Sequence, residues 1–143
     1  LEDADGDFGA AARPKGADAA AAAREALLAA LNAAGCAGEI PDLIWIYQSP
    51  GGEEDILRGL RDIVGDSCPI FGGSAADDTV EGAWSVLGSD GARPDGLVVA
   101  VFFPSGGVGL SYQGGYAPTG RSGLARVSEV EGPRVVTRID DAR

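Results

Sequence analysis

The residues most able to do chemistry lie in "CPIFGGSAADDTVEGAW", positions 68–84. A short apolar run leads into two glycines, a serine and a pair of aspartates. Ser74 could be a nucleophile, but a nucleophile elbow has the form G-x-S-x-G, and "GGSAA" lacks the second glycine. The chain also has no histidine to serve as its base. Lys15, the only lysine, sits in a turn far away in sequence and is no better a partner. Asp77 and Asp78 could share acid–base work, yet adjacent side chains diverge, and their plainer role is to form and cap a turn. What this stretch suits best is binding. Gly72 and Gly73 let a ligand approach the main chain. Free amides there, with Ser74, would take the carboxylate of a small zwitterion, and Asp77 its ammonium. An ordinary structural turn would use the same residues.

Other chemistries fall away. A phosphate-binding P-loop requires GK[ST], which the sequence lacks. The glycines of "GGVGLSYQGG" precede no helix, so they make no dinucleotide fingerprint. "DADGD" opens like a calcium loop, but the glycine and glutamate that such a loop requires stand here as Phe8 and Pro14. Cys36 and Cys68 form no CxxC pair and read as small buried apolar residues of a reducing compartment. No catalytic residue, metal or cofactor is expected.

Bulk properties narrow the partners. With 22 acidic against 11 basic residues the net charge is −11. Such a chain repels nucleic-acid phosphates and anionic lipid. No apolar run reaches the length of about 18 residues that a membrane helix needs, and no signal peptide is visible, so a cytoplasmic location is expected. The 143 residues suit one domain with one core. Because the chain starts at Leu1 and has no methionine, it reads as a piece of a longer protein.

The elements that must position these residues follow from pattern. Residues 1–7 read as a disordered acidic start and 8–13 as a short strand. Asp18 caps a helix over 18–34, rich in alanine and closed by Gly35. "DLIWIYQ" (42–48) reads as a strand covered on both faces. Ile56, Leu57, Leu60, Ile63 and Val64 form a helical stripe, and Gly59 within it suggests close packing on the sheet. "PIFG" is a further buried strand. From residue 82 five strand-like runs, one of them "GVGLSYQGGY", suggest an antiparallel meander. The fold class is α/β: a β-α-β-α-β start, then the meander, giving a mixed sheet with two main helices. Trp45 and Trp84 read as core or interface residues.

"CPIFGGSAADD", "GAWSVL", "DGLVVAVFFP", "GLSYQGGYAPTGRSG" and "VVTRIDDAR" together resemble the N-terminal half of the FIST family, the F-box and intracellular signal transduction sensory domains. The likeness covers most of the chain in order. It implies a sensory domain of a signalling protein that binds a small molecule, an amino acid among the candidates. It also implies partnership with a C-terminal FIST half and with downstream signalling domains, and no catalysis. The family's usual "IDG.PA" ending stands here as "IDDAR", and its C-terminal half does not follow. A pocket between the halves would have only one wall here.

On that reading "YQGGYAPTGRSG" (112–123) is the second place to look. Tyr112 and Tyr116 could form aromatic walls, with Thr119 and Arg121 contacting a carboxylate. Strand alternation would equally bury one tyrosine and expose the next. The candidate ligand-binding set is thus Gly72, Gly73, Ser74, Asp77, Tyr116, Thr119 and Arg121. Two other functions stay open: a protein-interaction scaffold with an acidic docking surface, and an enzyme completed by the missing half. Self-association is left open too.

Overall fold

The computed structural model describes residues 3–79, 81–128, 130 and 135–141. It contains two compact units, residues 1–109 and 110–143.

In the first unit, strand β1 (Asp7–Arg13) leads into helix α1 (Ala19–Ala34), then β2 (Leu43–Gln48), α2 (Glu53–Val64) and β3 (Ile70–Ser74). A small hairpin, β4 (Val86–Gly88) and β5 (Gly91–Arg93), precedes β6 (Leu97–Phe103). The main sheet has the order β1-β6-β2-β3. β6 runs antiparallel to both β1 and β2, while β2 and β3 are parallel. The α/β class and the mixed sheet with two helices agree with the sequence. The later strands are antiparallel, but they divide among three sheets, with β6 inserted between β1 and β2.

The helices start and stop for local reasons. Asp18 accepts a hydrogen bond from the Ala21 N–H at 2.8 Å, satisfying an amide that the first turn leaves unpaired. Gly35, at φ 77°, closes α1 by donating to Leu31 and Asn32. Alanines make α1 thin: Ala23, Ala26 and Ala30 are fully buried between sheet and neighbouring helix, with Leu27 and Leu31. Ile56, Leu60 and Val64 of α2 complete this layer. Gly59 packs against α1 and not, as its position suggested, on the sheet: a Cβ there would lie 2.3 Å from the Ala20 carbonyl oxygen.

Both helices cover the same sheet face, where Ile44, Ile46, Leu97, Val99 and Val101 are buried. The expectation that β2 is covered on both faces therefore fails. Trp45 remains 44% exposed and Tyr47 37%, because alternate residues of β2 point away from the helices. Trp45 tilts against Phe71 at 5.3 Å between ring centroids, and Phe8 meets Phe102 edge-on at 5.7 Å. Trp45 is thus a surface residue of this chain and not a core one. β3 is likewise only half-buried, as an edge strand.

The acidic start is tied down from Asp3, whose carboxylate accepts from the Ser105 hydroxyl at 2.7 Å and its N–H at 2.9 Å. These bonds hold the Asp3 carboxyl below its usual pKa. Leu1 and Glu2 lie outside the described residues. Cys36 and Cys68 are buried free thiols, and burial pushes both up in pKa.

In the second unit, β7 (Gly123–Val127) pairs antiparallel with β8 (Val136–Asp141). Asp140 receives Arg126 at 2.8 Å and also pairs with Arg138. "GVGLSYQGGY" forms no strand; its glycines weaken strand formation, and no partner strand is present among the described residues. No helix among the described residues is long and apolar enough to cross a membrane.

Candidate functional site

The glycine-serine stretch is strand where a turn was expected. Gly72, Gly73 and Ser74 are the last residues of β3 and pair in register with Ile46, Tyr47 and Gln48. The chain turns only after Ala75, whose N–H donates to the Gln48 carbonyl at 2.7 Å. Gly72 is needed for the neighbouring backbone. At φ 144° a Cβ would fall 1.8 Å from the Ile46 carbonyl oxygen, so only glycine fits. Gly73 faces open space.

β1, β2 and β3 all finish at the edge where β6 begins. Here α2 and the end of β3 enclose a cleft of about 230 Å³, lined by Ile46, Gln48, Glu53, Leu57, Ile70, Phe71 and residues 72–74. Ligands of open α/β sheets sit outside the carboxyl ends of strands for this reason: the chain reverses there and exposes amides and side chains. The cleft is smaller than the drug-sized range of about 300–1,000 Å³, so it suits a compact molecule.

Its polar side chains are linked. The Ser74 hydroxyl donates to Glu53 Oε1 at 3.0 Å, and the Gly51 N–H donates to the same oxygen at 2.8 Å. Gln48 Nε2 reaches Ser74 Oγ at 3.4 Å. Gln48 is only 4% exposed. Gly51 and Gly52, at φ 89° and 76°, shape the entry into α2.

A clasp behind the cleft fixes that entry. The Lys15 ammonium donates to the carbonyls of Ser49, Pro50 and Gly51 at 3.2, 2.7 and 3.0 Å. It also lies 3.6 Å from Asp95. The Ser49 hydroxyl donates to Asp95 at 3.3 Å and accepts from the Gly96 N–H at 3.2 Å. The single lysine, two residues after "AAR", thus binds the ends of β1 and β2 to the start of β6. That role has no local signature in the sequence, because its acceptors are main-chain groups distant along the chain.

Asp77 stands in the loop beyond β3 and spends its carboxylate locally. It accepts from the Ala83 N–H at 3.0 Å and the Glu81 N–H at 2.8 Å, bonds that lower its pKa. Its place is that of a loop-former, the plainer of its two expected roles. Tyr116, Thr119 and Arg121 belong to the second unit. There Tyr116 is almost fully exposed, and Thr119 Oγ1 accepts from the Arg121 N–H at 3.3 Å. Of the expected set, Gly72, Gly73 and Ser74 line the cleft. Gln48 and Glu53 also line it and were not singled out in the sequence; the signal was there in Glu53 at the head of a helix directly after a strand and "SPGG".

A family model for the FIST N domain matches residues 4–142, nearly the whole chain. The chain belongs to the FIST N domain family. FIST domains are a sensory family of signal transduction. The match runs through both units of this FIST N domain, so the cleft and the "GGYAPTGRSG" segment both lie within it. No curated protein matches the chain.

Proposed function

We propose that this FIST N domain is a small-ligand sensor. It binds an amino acid or a similarly compact metabolite in the cleft between α2 and the end of β3, and it makes or breaks no bond in doing so. The observation that supports this reading is the cleft: a buried amide, a carboxylate and a hydroxyl converge beside the apolar side chains of Leu57, Ile70 and Phe71. A few convergent polar groups on an apolar wall are the usual make-up of a small-molecule site. Binding would favour one arrangement of the domain and its signalling partners, a C-terminal FIST half and downstream effectors in the cytoplasm. The net charge of −11 argues against nucleic acid or an anionic membrane as the partner.

A thermal-shift screen of the protein amino acids and common metabolites tests the reading. A ligand at a hundred times its dissociation constant adds about 2.7 kcal/mol of stability. The expected result is a selective shift that disappears in Gln48→Leu. No shift with any compound would sink it.

A second reading, a protein-binding scaffold, is favoured by the other sheet face, where Trp45 and Tyr47 stand exposed. It predicts stabilisation by a partner protein and by no metabolite.

A further inference from the structure

We propose that the sheet face turned away from the helices docks a basic amphipathic helix of a partner protein. This is the face that favours the protein-binding reading above. The proposal rests on that reading, names the partner's chemistry and does not depend on what the cleft binds.

The pairing register builds the surface. Phe8 and Phe102 stand opposite each other across β1 and β6, and so do Ala10 and Ala100. Ala100 in turn pairs with Trp45, and Trp45 with Phe71. Side chains alternate along a strand, so these six lie on one face, opposite the core residues Ile44, Ile46, Val99 and Val101. Phe8, Ala10, Ala100 and Phe102 line a groove of about 460 Å³. Its two alanines make a floor between the phenylalanine pair and Trp45. The β4–β5 segment covers only the neighbouring row. There the Tyr47 hydroxyl donates to the Ser85 carbonyl at 3.4 Å, and a Cβ on Gly88 would lie 2.4 Å from the Ala12 methyl. An apolar sheet face is normally buried against a second layer, yet the two helices supply a layer on the other side alone.

Charge names the occupant. Asp3, Asp5 and Asp7 lead directly into Phe8. Asp42 leads into Leu43, with its N–H on the Phe102 carbonyl at 3.0 Å. Glu39 and Asp7 both act on the Cys36 thiol, which places Glu39 at the same end of the sheet. None of these five carboxylates has an ion-pair partner among the described residues. The basic residues of the first unit lie elsewhere: Arg13 and Lys15 at and beyond the far end of β1, Arg24, Arg58 and Arg61 on the helices, and Arg93 on β5. An aromatic groove with an unneutralised acidic end fits a helix whose apolar side chains enter the groove and whose Lys or Arg side chains meet the carboxylates. A second copy would bring its own net charge of −11 to the surface, and the repulsion disfavours it.

The probe is an amidated helical peptide of about eighteen residues, roughly five turns, with leucine on one face and lysine on the other. Its control carries glutamate in place of lysine. Calorimetry on the 143-residue chain at about 0.15 M salt limits charge effects to roughly 8 Å. The lysine peptide should bind one to one, and the glutamate peptide should not bind. Trp45→Ser removes an aromatic anchor and should weaken binding by about tenfold or more. Ala10→Arg, at an exposed position of an edge strand, fills the floor with a positive charge and should do the same. It carries the test if Trp45→Ser does not fold. Leu28→Ser, an exposed apolar position on α1, should change binding by less than about twofold. Equal weakening by Leu28→Ser would overturn the assignment to this face. Binding of the glutamate peptide, lost in Ala10→Arg, would overturn the basic partner and keep the protein-binding reading. A concentration-dependent dimer in sedimentation, lost in the same variant, would give the face to a second copy and overturn the proposal. Binding of neither peptide would overturn it as well, whereas the protein-binding reading itself fails on stabilisation by a metabolite and by no protein.

Discussion

Gly72 and Gly73 are neighbours with opposite tolerances. A methyl group at Gly72 would collide with the Ile46 main chain, whereas at Gly73 it meets nothing within 4 Å. Gly72→Ala should cost about 2–4 kcal/mol from clash and backbone strain. Gly73→Ala should stay within about 0.5 kcal/mol. Urea unfolding of both variants checks the contrast, and equal effects would contradict the register of β3. Asp77 carries a pH signature. Its folded pKa lies below the ordinary 3.8, so its bonds to the Glu81 and Ala83 amides stabilise the fold fully above that value. The contribution is lost as pH falls through the lower, folded pKa. Stability measured from pH 6 down to pH 2 should therefore fall less steeply in Asp77→Ala than in the parent chain. At this scale the sequence revealed composition but not direction. Ser74 and Asp77 were visible as polar residues near a bend, yet the pattern named neither the Glu53 carboxylate that Ser74 meets across the cleft nor the Glu81 and Ala83 amides that Asp77 meets within its own loop.

The elements themselves were the most legible part. Asp18, Gly35 and the Ile56–Val64 stripe act within one or two helical turns, so their meaning survives without tertiary context. What they pack against does not. Gly59 reads as a weak point in a helix until the Ala20 carbonyl of α1 is seen to occupy its open side. Gly59→Leu should push α1 and α2 apart and destabilise by more than about 2 kcal/mol. The exposed neighbour Arg58→Leu should be nearly neutral, and comparing their thermal midpoints tests the helix contact. The β2 run failed as a guide to coverage for a related reason. "LIWIYQ" is apolar on both faces, but the helices fall on one, and only the pairing order of the sheet decides which. Glu53 was passed over as a site residue because first-turn acidic residues are so common on helices that its place at the head of α2 does not by itself show that it faces Ser74.

At the scale of the molecule, the buried core among the described residues belongs to the first unit. A chain ending at Gly109 should therefore keep a cooperative thermal transition with native-like circular dichroism. Residues 110–143 alone should show none, since a lone two-stranded hairpin is marginal in water. The sheet order carries a further consequence. In the sheet of the described residues β6 lies between β1 and β2, and it pairs Asp7 with Phe103 on one side and Leu43 with Phe102 on the other. Until residue 103 is in place, the first half of the chain holds a slot with two unsatisfied strand edges, shaped for one particular seven-residue insert. Any copy of "LVVAVFF" fits it equally well, including one from another molecule. Refolding at high protein concentration should accordingly yield strand-exchanged dimers on size-exclusion chromatography, and refolding at low concentration should yield monomers. The fold makes its own centre exchangeable.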